Sequence, residues 1–170
     1  IEFNGTPGLY LSAEGGSILC FDAPENESGA NGRFIIFDAG EETTGHIYVK
    51  LEAPEGTVID IAHGEHLDDG VVRAWVGGRN FCDRYICKGG FNEFELPFRR
   101  VGCRYLQLHF TNFKGEIKLH YAGIIPREWD VKTEYRFESS DGFADKCYEK
   151  GIRTLLMSMH EHYEDCPWRE

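Results

Sequence analysis

Between residues 34 and 125 the chain is a succession of short apolar runs separated by turn chemistry, with no helical period among them. Phe34-Ile35-Ile36-Phe37 is bounded by Asp38 and Gly40. Segment 46–51 alternates strictly, with Ile47, Val49 and Leu51 on one side. A repeat of two is what a half-buried strand requires, because successive side chains leave opposite faces. Pro54-Glu55-Gly56 turns the chain, since proline presets φ and glycine tolerates positive φ. Segment 57–63 reads as a strand and Asp68-Asp69-Gly70 as a second turn. Segments 71–76 and 81–87 read as hairpin arms around Gly77-Gly78-Arg79-Asn80. Phe94 and Leu96 predict a short strand stopped by Pro97. Segments 105–110 and 116–125 predict two more, joined across Asn112-Phe113-Lys114-Gly115. About eight short strands at a spacing of about 8–12 residues predict a mainly β fold, a β-sandwich of the jelly-roll or concanavalin type.

Pro126 closes that pattern, and a different one begins. Ser139-Ser140-Asp141 offers N-cap side chains. Phe143, Cys147, Ile152, Leu155, Leu156, Met159 and Tyr163 then recur at helical spacing. They predict one long amphipathic helix over 143–163, about 30 Å at about 1.5 Å per residue. Pro167 cannot continue it. Such a stripe needs further helices or the sandwich to cover it. The N-terminal part is more weakly patterned: Leu9-Tyr10-Leu11 and Ser17-Ile18-Leu19-Cys20-Phe21 read as strands, and Asn26 to Gly32 as a loop. The expected organisation is N-terminal strands and loop over 1–33, the sandwich over 34–126, a linker over 127–138, and the start of a helical region over 139–170. The switch from strand to helix, and a chain that stops among its densest reactive groups, predict a fragment of a larger protein.

Charge narrows the function. The 18 Lys and Arg face 29 Asp and Glu, a net charge of −11. That opposes nucleic acid, which is met by clustered Lys and Arg, and anionic membrane surfaces. No apolar run approaches the about 20 residues of a membrane span. Neutral or cationic ligands fit this balance, as do uncharged sugars. The six cysteines form no C-x-x-C pair and match no zinc spacing. They read as buried free thiols in a reducing compartment, which favours the cytoplasm over secretion. A Cys82–Cys87 disulfide stays open. His63, Glu65 and His66 lack a fourth ligand, and His160 and His162 at i, i+2 would face different sides of a helix, so neither a metal nor a cofactor is expected. Trp75 reads as a core or edge aromatic, with a sugar-stacking platform as the alternative. Arg99-Arg100 beside Phe98 reads as a salt-bridging corner.

The last run, Asp165-Cys166-Pro167-Trp168-Arg169-Glu170, concentrates carboxylates, a guanidinium and an aromatic ring beside a helix end. Two carboxylates can divide acid and base work in glycosidic cleavage, and an indole can lie against a sugar ring. A solvated ion-pair loop has the same composition.

That run resembles the signature of the bacterial α-L-rhamnosidases, glycoside hydrolase family 78, in which a D-C-P motif opens the catalytic face of an (α/α)6 barrel behind a β-sandwich. Phe37-Asp38-Ala39-Gly40, Thr44-Gly45-His46-Ile47, Pro54-Glu55-Gly56-Thr57 and His63-Gly64-Glu65-His66-Leu67 resemble the family's concanavalin-like domain. So do Asp83-Arg84-Tyr85 and the stretch Phe98-Arg99-Arg100-Val101-Gly102-Cys103-Arg104-Tyr105. The resemblance extends over about residues 34–170. It implies an inverting hydrolase of terminal α-L-rhamnosides, with Glu170 as general acid and Asp165 on the sugar hydroxyls; Trp168 and Arg169 beside them are read, from the residues alone, as further substrate contacts. Some members carry the acid one residue further along. The water-activating carboxylate lies later in such proteins, about 6.5–9.5 Å from the acid in space, so Asp165 is not the base. The implied partners are a rhamnose-containing glycan or glycoside and the remainder of the barrel. The piece alone is expected to be inactive. Because a nearby cation opposes protonation of an acid, Arg169 is expected to point away from Glu170. The alternative reading is a carbohydrate-binding or purely structural sandwich module.

Overall fold

The computed structural model describes residues 2–3, 6–7, 19–22, 32–129, 131 and 136–167. Its strands are β1 (Glu2–Phe3), β2 (Thr6–Pro7), β3 (Leu19–Asp22), β4 (Gly32–Ala53), β5 (Val58–Gly64) and β6 (Leu67–Asp68). There follow β7 (Val71–Val72), β8 (Trp75–Val76), β9 (Arg79–Asn80), β10 (Cys82–Ile86), β11 (Gly90–Thr111) and β12 (Glu116–Pro126). Among the described residues one helix follows, α1 (Gly142–Met157). None is long and apolar enough to cross a membrane.

Six strands pair antiparallel in the order β10-β5-β11-β4-β12-β3. Two of them, β4 and β11, are 22 residues long and pair along most of their length. The late part of β11 also carries β5, with Leu108 opposite Ile61 and Phe110 opposite Ile59. The late part of β4 carries β12, with Leu51 opposite Leu119 and Val49 opposite Ala122. The same two strands therefore supply both layers of a β-sandwich, and their register breaks between Glu95 and Arg100 and between Cys103 and Tyr105. Ile35, Phe37, Ile59, Ile61, Leu108 and Phe110 from one layer meet Ile47, Val49, Leu51, Ile117 and Leu119 from the other in one buried cluster. The period-two pattern makes this possible, because every second residue of each strand faces the same interior.

Three local expectations differ from what is observed. The runs 34–37 and 46–51 are one strand, because Thr43, Thr44 and Gly45 keep their ladder with Cys103, Gly102 and Val101 despite lacking alternation. Pairing with a long neighbour overrides local propensity here. Likewise Pro97 does not end its strand: it lies in the register break between Glu95 and Arg100, where no ladder donor is required of it. The hairpin near residue 77 is tighter than the spacing predicts. Gly77 and Gly78, at φ 55° and 80°, turn β8 directly into β9. Cys82–Ile86 pairs instead with β5.

The helix begins as expected, with Asp141 Oδ1 accepting from the Phe143 amide at 2.9 Å. It ends at Met157, not at 163. Its 16 residues make a rod of about 24 Å at about 1.5 Å per residue. Arg153 ties it to the sandwich through both Glu128 oxygens, at 2.8 and 2.9 Å, and the Glu42 carbonyl at 3.1 Å. Phe143, Tyr148 and Leu155 are exposed. Among the described cysteines Cys82, Cys87, Cys103 and Cys147 are free thiols, so Cys82 and Cys87 are not bridged to each other. Burial pushes the Cys87 thiol up to about 11 and Cys103 up to about 12, so both are inert hydrophobes. Cys147 is exposed, unlike the buried thiol expected.

Candidate functional site

The loop after α1 is tied back onto the sandwich at one corner of β11. Met159 bridges Tyr163, the His160 amide donates to the His162 carbonyl at 3.2 Å, and the Glu164 amide donates to the Ser158 carbonyl at 2.9 Å. These bonds bend residues 158–164 into a closed turn. Arg100 reaches into it from β11: Nη2 donates to the Met157 carbonyl and Nη1 to Glu164 Oε2. The pair is nearly dry, at 13% and 4% side-chain exposure. Two positions along the strand, Gly102 meets Pro167. A Cβ on Gly102 would lie 2.5 Å from the Pro167 carbonyl oxygen, so only glycine lets the loop seat this closely.

Around that seat opens a groove of about 460 Å³, whose walls include Phe81, Phe98, Arg99, His160, His162 and Pro167. Phe98 is 99% exposed at its edge. Arg99 braces the opposite wall, holding both Asp83 oxygens at 2.9 Å and the Asn80 carbonyl at 2.8 Å. The expected salt-bridging corner at Arg99-Arg100 is thus present. Trp75, 64% exposed on the β8–β9 hairpin, is not a core residue.

His160 and His162 do not face opposite sides of a helix, because the helix has already ended. Their rings stand 4.4 Å apart, and their nitrogens and a Glu164 oxygen lie within 4.8 Å of one another. The arrangement has the form of a cation site, but Arg100 already neutralises Glu164. His160 Nε2 lies 2.7 Å from Glu164 Oε1, without hydrogen-bond alignment.

A smaller cavity of about 60 Å³ lies nearby, lined by His63, Glu65, His66, Arg73, Val76 and Phe81. His63 is buried edge-on to Phe81 at 5.6 Å, and neither of its ring nitrogens has a partner. Burial, with Arg99 nearby, pushes its pKa down to about 3. Glu42 is pushed up to about 7 by burial and by the Glu65 charge.

Of the residues predicted to work on substrate, Asp165 is exposed on a bend immediately after Glu164. Trp168, Arg169 and Glu170 lie outside the described residues, and so does the expected geometry between Arg169 and Glu170. Sequence reasoning missed Arg100, Gly102 and Glu164 as the seat of this loop. An arginine pair was visible; its partner 64 residues away was not.

Residues 29–134 match the model of the bacterial alpha-L-rhamnosidase concanavalin-like domain. The chain belongs to that family. An α-L-rhamnosidase of Formosa agariphila is 26% identical over 156 residues, 86% of this chain and 16% of that protein. The chain therefore spans about a sixth of this relative. Among solved structures, the glycoside hydrolase family 78 rhamnosidase of Bacillus sp. GL1 superposes with a TM-score of 0.76 at 30% identity, over 88% of this chain and 15% of that one. The Klebsiella oxytoca rhamnosidase, solved with rhamnose bound, shares the fold at TM-score 0.70 and 18% identity, over 82% of this chain and 29% of that one.

In this rhamnosidase-family sandwich several family-like stretches are architecture. Arg104 forks onto Asp38 at 2.7 and 2.8 Å. That guanidinium holds the Asp38 carboxyl below the usual range. Arg84 forks onto Asp60 at 2.6 and 2.9 Å. His63 gives the sandwich a pH signature. An unfolded imidazole titrates near 6.5, whereas the folded one stays neutral to about 3. The unfolded chain thus binds the extra proton, and stability is full above pH 6.5 and lost as pH falls towards 3. His63→Leu is expected to reduce the stability difference between pH 7 and pH 4 by about 3 kcal/mol. Urea titrations of both proteins at the two pH values measure it; an unchanged difference would place the acid sensitivity elsewhere.

Proposed function

We propose that the protein containing this chain hydrolyses terminal α-L-rhamnosides with inversion, and that this chain contributes the sandwich and the entry to the catalytic barrel. The observation that carries the reading is the Asp165-Cys166-Pro167 run, seated through Pro167 on Gly102 in a sandwich of this family. In this reading Glu170 protonates the departing glycosidic oxygen, Asp165 accepts hydrogen bonds from sugar hydroxyls, and Trp168 lies against the ring. Arg169 contacts the substrate side away from the acid. A carboxylate from a later part of the protein activates water on the opposite face, so these 170 residues alone turn nothing over.

The test is to give the full-length protein an aryl α-L-rhamnoside and follow the first-formed sugar by proton NMR. The expected product is β-rhamnose, appearing before mutarotation. Release of α-rhamnose first, or no release of rhamnose, sinks the reading.

A further inference from the structure

We propose that Arg100, helped by Gly102, is a positioning residue: the sandwich holds the loop carrying Asp165, from which the chain runs on to Glu170, in working register, so it is part of the catalytic apparatus and not only its mount. The proposal rests on the functional reading above. Arg100 and Gly102 lie two positions apart on β11 and so share a face, while Val101 between them, 1% exposed, is locked in the core. The strand position is therefore rigid. From it Arg100 grips two separate elements. One is the Met157 carbonyl at the negative end of α1; the other is Glu164, the residue before Asp165. Gly102 receives Pro167 three residues further on. Asp165 and Cys166 are thus strung between two anchors on one strand.

Two side chains of the turn itself stand out in solvent. Tyr163 is 73% exposed and the Glu161 side chain 92% exposed. A guanidinium fork fixes orientation as well as distance, which a lysine point charge does not. A displacement of about 1 Å at reacting groups costs about 10²-fold in rate. Loosening this seat is therefore expected to show in the proton-transfer step.

The experiment compares full-length wild type with Arg100→Met, Arg100→Lys, Glu164→Gln and Gly102→Ala, on an alkyl rhamnoside and on a dinitrophenyl rhamnoside. The alkyl leaving group needs the acid; dinitrophenolate departs without a proton. A seat for the acid predicts kcat losses of about 10²-fold on the alkyl substrate and less than about tenfold on the dinitrophenyl one. Arg100→Lys should recover part of the loss. Equal losses on both substrates, or none, overturn the proposal, since a merely structural lesion would not separate leaving groups. Hydrogen exchange of residues 159–167 in the same proteins gives a readout independent of activity. It should rise in Arg100→Met, and unchanged protection overturns the proposal even if the protein proves not to cleave rhamnosides. If Arg100→Met does not fold, Glu164→Gln and Gly102→Ala carry both measurements. A wild type inactive on rhamnosides whose Arg100→Met variant loses protection would remove the substrate assignment and leave the seat intact.

Discussion

Glu170→Gln in the full-length protein is expected to lower kcat on an alkyl α-L-rhamnoside by about 10³-fold, with little change in KM. The amide has the shape and polarity of the acid but no proton to give. An alkoxide leaving group depends on that proton in the transition state, so the loss appears in kcat and not in ground-state binding. Two further signs should accompany it. The same variant should lose far less on a dinitrophenyl rhamnoside, and its pH profile should lack the limb on which the acid deprotonates. Steady-state kinetics on the two substrates across pH provide all three. If the variant matches wild type on the alkyl substrate, the acid is not Glu170. The one-residue-later position found in some family members becomes the next to test.

Gly45→Ala is expected to be the most damaging single methyl that can be added to the sandwich. Gly45 sits in β4, paired with Val101 on one side and Pro126 on the other. A Cβ there would stand 2.0 Å from the Ile125 carbonyl oxygen, 2.8 Å from its carbon and 2.9 Å from Ile124 Cγ2. The first two are backbone atoms of β12 and cannot rotate away. Thr44 beside it is fully buried, and its carbonyl accepts from the Arg127 amide at 3.0 Å where the chain leaves β12. Relief therefore means pulling β12 off β4, with loss of the neighbouring ladder. Overpacking of this kind costs about 3 kcal/mol or more. At about 2–4 °C per kcal/mol for a domain of this size, Tm should fall by about 6–12 °C. Gly40→Ala is the control: nothing lies within 4 Å of its Cβ, and only its positive φ of 82° opposes the change. Scanning calorimetry of the two variants decides. A Tm for Gly45→Ala no lower than that of the control would mean that the sheet can yield there.

The alternation of Ile47, Val49 and Leu51, the turn at Pro54-Glu55-Gly56 and the cap at Asp141 could all be read from local spacing. Each is set by neighbours in the chain: a pleat that repeats every two residues, a dihedral that proline restricts, a carboxylate within reach of the next turn. The continuity of β4 and β11 could not be read, because Thr43 and Thr44 hold their places by pairing with a strand distant in sequence, and Pro97 is tolerated only because it falls in a register break of that pairing. The helix was overrun for the same reason. Met159 and Tyr163 continue the apolar spacing, yet residues 158–164 fold back as a turn, with Arg100 donating to the Met157 carbonyl just before it and to the Glu164 carboxylate at its end. The histidine pair was misread in consequence, since facing sides were assigned to a helix that had ended.

By itself, then, the sequence determined the β-sandwich class, the change to helix after Pro126 and the motif on which the family resemblance turns, because these depend on short-range period and residue identity. The tertiary structure alone decided which strands are shared between the two layers and which buried histidine stays neutral. It also decided which arginine, 64 residues from its carboxylate, seats the loop beside Asp165. Those outcomes depend on burial and on charges meeting across the fold, and neither is encoded in local spacing.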